Sequence, residues 1–81
     1  QKFLVYPNPA KYLIIIEKKC ETDGLLMNIY NQIGSIVESL KINNTDYITI
    51  IDIEDYQPGI YMFNFIDDNQ ALESHKIIIS R

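Results

Sequence analysis

The sequence predicts an all-β domain, a sandwich of about seven short antiparallel strands. Isoleucine is the commonest apolar residue, and helical periodicity is nearly absent; β-branched and aromatic residues favour strands. Turn signals recur at short intervals, at Pro7-Asn8-Pro9, Asp23-Gly24, Asn31 to Gly34, Asn43 to Thr45, Pro58-Gly59 and Asp67 to Asn69. Such spacing is typical of an immunoglobulin-like sandwich.

Length and charge limit the classes of protein this chain can belong to. It has 81 residues and a net charge of −4, enough for one domain that buries roughly 60–65% of its unfolded surface. The acidic balance argues against nucleic acid and anionic membranes as partners, because both attract basic faces. The longest apolar run, YLIII at 12–16, is too short to cross a membrane. No signal peptide is recognised, which favours a cytosolic protein or the downstream piece of a longer chain.

The opening stretch VYPNP ends the first strand. Pro7 and Pro9 lack an N–H group and have a fixed φ, and each keeps the residue before it extended. The Asn8 side chain can bond nearby backbone and close the bend. We therefore expect a stiff bend that carries the chain from one strand, and perhaps one sheet, to the next.

The remaining strands follow from apolar alternation between the turns. Together with the first, we expect strands near 2–6, 12–18, 25–31, 35–42, 47–53, 60–67 and 74–80. Leu25, Met27 and Ile29 share one face of their strand; Tyr61, Phe63 and Phe65 share one face of theirs, and Ile77 and Ile79 point together. The stretches 12–16 and 48–51 are apolar on both faces. If Leu13 and Ile15 face outward, they leave a patch that supports a homodimer.

Two glycines mark turns that need special backbone geometry. Gly34 is expected to close a hairpin with φ above zero. In Pro58-Gly59-Ile60-Tyr61, a tyrosine enters a strand two residues after a glycine. This arrangement resembles the tyrosine corner of Greek-key sandwiches, whose phenol bonds to upstream backbone. An ordinary core tyrosine after a turn is the alternative.

The chain resembles a family through four segments in order. VYPNPAK at 5–11, IYNQIGSIV at 29–37, IDIEDYQPGIYMFNF at 51–65 and KIIISR at 76–81 are similar to the C-terminal sorting domain of the type IX secretion system, type A, of Bacteroidetes. The resemblance covers essentially the whole chain. It implies that residues 1–81 are a single β-sandwich at the carboxyl end of a longer secreted protein.

The resemblance also implies function, partners and location. Such a domain directs an N-terminal cargo through the periplasm and outer membrane to the cell surface. Its partners are the outer-membrane translocon and a surface sortase-like protease that removes it, so it is a substrate and not an enzyme. It needs no cofactor and does not insert into the membrane. The residues carried over by position are Pro7, Asn8, Pro9, Gly34, Gly59, Tyr61, Lys76, Ile77, Ile78, Ile79 and Arg81.

The last segment, KIIISR at 76–81, which we call the tail, can act as a signal through its exposed backbone. A terminal strand at a sheet edge can offer its backbone to another sheet, while Lys76, Ile78 and Ser80 face outward and Ile77 and Ile79 pack inward. A plain core strand is the alternative.

No catalytic or metal-binding constellation is recognised in the sequence. His75 is the only histidine and is expected to be solvated. Two acidic groups, at Asp52, Glu54 and Asp55 and at Asp67-Asp68, are expected to be solvated strand ends. Calcium at 67–69 is an alternative without the spacing of an EF-hand loop.

A second function remains open from the residues alone. Tyr12, Tyr30, Tyr47 and Tyr56 could form a binding face, which would make the domain an immunoglobulin-like accessory module for carbohydrate or protein at the cell surface. Cross-strand packing of these tyrosines is the alternative. A small hydrolase is the least favoured class.

Overall fold

The computed structural model describes residues 1–22 and 24–81, and within them the all-β prediction is confirmed. The described residues form seven strands: β1 (Phe3–Tyr6), β2 (Leu13–Lys18), β3 (Leu25–Tyr30), β4 (Ile36–Ile42), β5 (Ile48–Asp52), β6 (Gly59–Asp67) and β7 (Gln70–Ile79). Of the predicted turn Asp23-Gly24, Asp23 lies outside the described residues. Residues 1–22 and 24–81 contain no helix that is long and apolar enough to cross a membrane.

The strands pair antiparallel in two sheets. One sheet has the order β1-β2-β5, and the other has the order β4-β3-β6-β7. β4 pairs with β3 in this structure. In the constant-type immunoglobulin fold, the fourth strand instead belongs to the sheet that contains the first two strands. Phe3 of β1 stacks on Phe65 of β6 with ring centroids 4.0 Å apart, so the two sheets face each other across one core.

Alternation predicted which side chains fill that core. Among the residues described, buried apolar side chains come from all seven strands. They include every residue that the alternation of β3, β6 and β7 places inward: Leu25, Met27, Ile29, Tyr61, Phe63, Phe65, Ile77 and Ile79. Burying such a side chain stabilises the fold by roughly 1.5–3 kcal/mol. The core accounts for most of the favourable free energy of this fold.

The last strand begins earlier than predicted. Residues 70–73 do not alternate, so the sequence indicated a start near 74, but β7 begins at Gln70. Asp68 and Asn69 have φ of 48° and 67°, the positive values that a two-residue type I′ hairpin turn requires. The turn therefore needs only two residues. A register shift between Phe65 and Ile66 lets the following residues pair with β6 although their apolar side chains do not alternate.

The two strands that do not alternate divide their apolar side chains between core and solvent. Ile14 and Ile16 of β2 and Ile51 of β5 are buried. Their neighbours face away from the core, where Leu13 is exposed and Ile15 is half-buried. A homodimer through Leu13 and Ile15 stays a prediction.

Candidate recognition surface at one end of the sandwich

The antiparallel topology brings the four sequence motifs to one end of the sandwich. The connections β1–β2, β3–β4 and β5–β6 all lie at the end where β7 finishes. We call this the motif end and define it by residues 7–12, 31–35, 53–58 and 80–81. Segments far apart in the chain are therefore neighbours in space.

The opening bend lies along the free edge of the tail strand. The Asn8 side chain donates through Nδ2 to the Lys76 carbonyl at 3.0 Å and accepts from the Ile78 amide at 3.0 Å. Ala10 donates to the Ile78 carbonyl at 2.8 Å and accepts from the Ser80 amide at 2.9 Å. Residues 7–10, which we call the strap, thus complete the backbone hydrogen bonding of β7 from Lys76 to Ser80.

The structure modifies the predicted role of the tail as an open edge. β7 does lie at the edge of its sheet, but its last part is already paired with the strap. Pro7 and Pro9 each follow a cis peptide bond and flank Asn8 in the bend. Ala10, fully buried, was missed, because an isolated bridge leaves no alternation in the sequence.

Arg81 acts as a clamp and not as a free basic group. It follows β7, and its guanidinium donates to the backbone carbonyls of Lys11, at 2.9 Å, and of Ile53 and Tyr56. Arginine presents several donors in a rigid fork, which suits three carbonyls from two loops. The clamp joins the end of the tail to the β1–β2 and β5–β6 connections, and no local sequence signal indicates these partners.

The corner before β6 makes the bond expected of a tyrosine corner. The Tyr61 hydroxyl donates to the Gln57 carbonyl at 2.6 Å. Gly59 has a φ of 155°, and a Cβ there would lie 2.7 Å from Oε1 of Gln32. That oxygen accepts from the Ile60 amide at 3.1 Å. Glycine therefore leaves room for a side chain of the neighbouring hairpin, a contact that the sequence did not indicate.

That neighbouring hairpin joins β3 to β4. Gly34 has a φ of 87°, the positive value that favours glycine. The Asn31 side chain accepts from the amides of Ile33 and Ser35 at 3.2 and 3.0 Å. The turn places Ile33 at its tip, 85% exposed.

Two hollows flank the motifs at this end. One, of about 250 Å³, lies between the hairpin and the corner and is lined by Asn31, Gln32, Ile33, Gln57, Pro58, Gly59, Ile60 and Tyr61. The other, of about 370 Å³, is lined by Pro7, Pro9, Lys11, Tyr12 and Leu13. The exposed surface of both linings is mainly apolar.

The tail presents a mixed outward face beside the first hollow. Lys76, Ile78 and Ser80 are exposed, whereas Ile77 and Ile79 are buried. Ile78 is directly opposite Ile60, and Lys76 is opposite Met62. Side chains of the tail and the corner therefore form one continuous surface on the four-stranded sheet.

The structure corrects the expectation for His75. It lies on the inward side of β7, partly buried, with its ring edge-on to Phe65 at 5.8 Å between centroids. Its Nε2 is 2.7 Å from Glu73. Burial alone would raise the pKa of Glu73, but the Lys2 amide and His75 outweigh it and lower that pKa. From Glu73 to Ile79 the odd positions of β7 face the core, which is why His75 is not solvated.

The acidic residues form no metal centre in the described part of the chain. There, no group of three or more metal-ligating side chains could hold an ion. Asp52 accepts from the Glu54 amide at 3.0 Å and so shapes the turn after β5. Asp68 occupies the turn between β6 and β7.

The four tyrosines of the predicted binding face are divided between the two ends of the sandwich. Tyr12 precedes β2 at the motif end, whereas Tyr47 precedes β5 at the opposite end. The Tyr47 ring lies under the Lys18 ammonium, 5.1 Å from Nζ to the ring centroid. The Tyr56 hydroxyl donates to Glu38 at 2.5 Å. Tyr47 is therefore apart from Tyr12, and the accessory-module alternative stays a prediction.

We expect Tyr56 to ionise at unusually high pH. Burial raises its pKa, and the bond to Glu38 and the charge of that carboxylate raise it further. Because the folded-state pKa exceeds the unfolded value near 10, the stabilisation from the neutral phenol is complete below pH 10 and is lost as the pH rises above it. Absorbance titration at about 295 nm should show a late step that Tyr56→Phe removes. Because the bond to Glu17 also raises the pKa of Tyr6, the contradicting result is a late step whose amplitude the substitution leaves unchanged.

Comparisons with known proteins agree on family and fold. A family model described as the secretion system C-terminal sorting domain matches residues 4–80. The crystal structure of a DUF3244 family protein from Bacteroides vulgatus ATCC 8482, with an immunoglobulin-like β-sandwich fold, is similar with a TM-score of 0.81. The match covers 98% of this chain and 84% of that chain at 12% identity, so it shows the fold alone. No curated protein matches the chain in sequence.

Proposed function

Because this chain belongs to the secretion system C-terminal sorting domain family, a type IX sorting signal, we propose that it directs an N-terminal cargo to the cell surface. The observation that carries the proposal is the match over residues 4–80, which includes the strap, the hairpin, the corner and nearly all of the tail. On this proposal the chain is the carboxyl-terminal domain of a longer secreted protein. The cargo passes through the periplasm and the outer membrane.

The domain acts in this proposal as a substrate for other proteins. Its partners are the outer-membrane translocon, which binds the folded domain, and a surface sortase-like protease, which removes it. The recognised residues lie in the motif end, in the corner at the start of β6 and in the tail: Pro7, Asn8, Pro9, Gly34, Gly59, Tyr61, Lys76, Ile77, Ile78, Ile79 and Arg81. Pro7, Asn8, Gly59, Tyr61 and Arg81 would shape the surface, while the outward side chains of the tail would contact the partner.

Deleting the tail cannot separate recognition from folding. Residues 76–81 include Ile77 and Ile79, both buried, and the Arg81 clamp. Such a deletion is expected to unfold the domain, because each isoleucine contributes several kcal/mol when removed. Substitutions of exposed tail residues are therefore the informative variants.

An export assay tests the proposal with such variants. The chain is fused behind a reporter with a signal peptide in a host that carries the secretion system. We expect surface delivery with the unaltered domain and a loss of at least about tenfold with the double variant Lys76→Glu, Ile78→Asn, because both side chains are exposed on the tail. Lys41→Glu, an exposed lysine on β4 of the same sheet, is the matched control and should export normally. Equal delivery of a reporter without the domain would refute the sorting role.

A further inference from the structure

The edges of the two sheets are protected to different degrees. A free edge offers unpaired backbone groups to other strands, and proteins blunt edges with short strands, proline, charges, bulges or covering segments. Here the strap covers the end of β7. β4 carries Glu38 and Lys41, and its pairing with β3 has a bulge beside Tyr30. β1 has four residues and runs directly into Pro7.

β5 has the weakest protection, with Asp52 at its end as its only charged residue. Its five residues, ITIID, contain neither proline nor a basic residue, and its register with β2 is regular. It is at the end of its sheet. Among the hydrogen bonds of the described residues, none outside the pairing with β2 involves the backbone of Ile48 or Ile50. Within the described residues, β5 is therefore the least protected sheet edge.

The bonds at both ends of β5 define which backbone groups face this open edge. The Lys18 amide donates to the Tyr47 carbonyl, and the Ile53 amide donates to the Tyr12 carbonyl. Bonded pairs alternate along an antiparallel ladder, so Thr49 and Ile51 also bond to β2. The N–H and C=O groups of the intervening residues, Ile48, Ile50 and Asp52, point to the open side.

The same residues direct their side chains away from the core. Ile48 is 55% exposed and Ile50 is 63% exposed. Ile50 is opposite Ile15, and Leu13 follows on the same outer face, next to the hollow lined by Pro7, Pro9 and Tyr12. An added strand would find backbone partners at the edge and an apolar surface for its alternate side chains.

Charge distinguishes the possible occupants of this edge. Residues 43–57 contain Asp46, Asp52, Glu54 and Asp55 and no lysine or arginine. Two copies of β5 paired antiparallel about Ile50 would place Asp46 opposite Glu54 of the other copy, and like charges in cross-strand pairs are destabilising. A strand with basic residues at its ends would instead meet opposite charges. The edge is complementary to a basic partner and not to itself.

We propose that β5 is a docking edge for an extended segment of a partner protein, one with apolar residues at alternate positions and lysine or arginine at its ends. The segment adds to the β1-β2-β5 sheet as a fourth strand. This surface is separate from the tail and the corner, and its existence does not depend on the sorting role.

Panning random 12-residue peptides displayed on phage against the 81-residue chain tests the proposal. We expect the enriched peptides to alternate apolar residues between basic ends. A synthetic version of an enriched peptide is then titrated into isotopically labelled protein. It should shift the NMR signals of the Ile48, Ile50 and Asp52 amides and protect these amides from hydrogen exchange. Its affinity should fall as salt rises.

Three variants separate docking at this edge from general apolar binding. Ile50→Pro removes one outward N–H and leaves the bonds of Thr49 and Ile51 to β2, and proline is tolerated at such edge positions. We expect binding about tenfold weaker, as for one lost hydrogen bond with its partner left unsatisfied. Ile48→Lys should weaken binding similarly, whereas Ile36→Lys, at an isoleucine on β4 that is also 55% exposed, should leave it unchanged.

Three results would overturn the proposal. One is the absence of any enriched peptide that binds saturably, and another is a set of shifts confined to other strands. The third is concentration-dependent self-association that shifts the β5 signals, since this would make a second copy the occupant. The export assay is independent of all three, so either proposal can fail alone.

Discussion

Phe65→Ala is expected to lower the free energy of unfolding by about 3–5 kcal/mol, the cost of truncating a buried phenylalanine. Phe65 is fully buried, and its ring stacks on Phe3 of the opposite sheet at 4.0 Å with an interplanar angle of 8°. The ring also contacts the edge of His75. The substitution would open a cavity where the two sheets meet, so both would lose packing.

Urea unfolding followed by far-ultraviolet circular dichroism measures this effect. A domain of this size has a stability of roughly 4–12 kcal/mol, so the variant would lose a large fraction of it. Tyr12→Ala is the matched control, because it truncates an aromatic ring that is 59% exposed, and it should cost less than about 1 kcal/mol. Equal effects of the two substitutions would mean that the sheets do not share this core.

The same pair of variants connects stability to export. If the translocon binds the folded domain, Phe65→Ala should reduce surface delivery although every exposed residue of the motif end is unchanged. Tyr12→Ala leaves the core intact, so a loss of its export would show that the translocon contacts the hollow beside Pro7 and Pro9. Full delivery of an unfolded Phe65→Ala variant would show that a linear tail is sufficient.

The parts of this fold that were predicted from sequence depend on local periodicity. Alternation identified the inward residues of β3 and β6 because each strand has one face in the core and one in solvent. Turn chemistry placed Gly34 and the Gly59 corner, because few residues tolerate those backbone angles. Such signals lie within a few residues of the feature that they predict.

The parts that were missed depend on contacts between distant segments. Asn8 and Lys76 are 68 positions apart, and nothing near either residue indicates that a side-chain amide will complete the edge of a strand. Arg81 was interpreted as a basic group of the tail, but its charge is bonded to loop carbonyls. The openness of β5 likewise follows from which strands end up beside it. Hydrophobic patterning cannot contain this information.

The strap, residues 7–10, and the clamp, Arg81, both hold the tail by hydrogen bonds, so we expect each to contribute to the free energy of unfolding. Arg81→Met is expected to cost about 2–3 kcal/mol, because three backbone carbonyls lose a charged donor. Asn8→Ala is expected to cost about 1–2 kcal/mol, because two exposed hydrogen bonds to β7 are lost and water replaces them in part. Both substitutions should also accelerate hydrogen exchange at the Ile78 amide.

The two substitutions should not be additive. Asn8 and Arg81 hold the same end of β7 from two sides, and residues within one hydrogen-bonded network couple energetically. Once the clamp is lost, the strap has a looser strand to bind, so the double variant should cost less than the sum of the single ones. Urea unfolding of all four proteins gives the coupling energy directly.

Lys76→Met is the control for the loss of positive charge. Lys76 is exposed on the same strand, and only its backbone carbonyl is bonded to the strap, so its replacement should change stability by less than about 0.5 kcal/mol. If Arg81→Met were as mild as Lys76→Met, the clamp would contribute nothing to folding. A large difference would mean that the hydrogen bonds of Arg81 to the loop carbonyls, and not its positive charge alone, hold the tail in place.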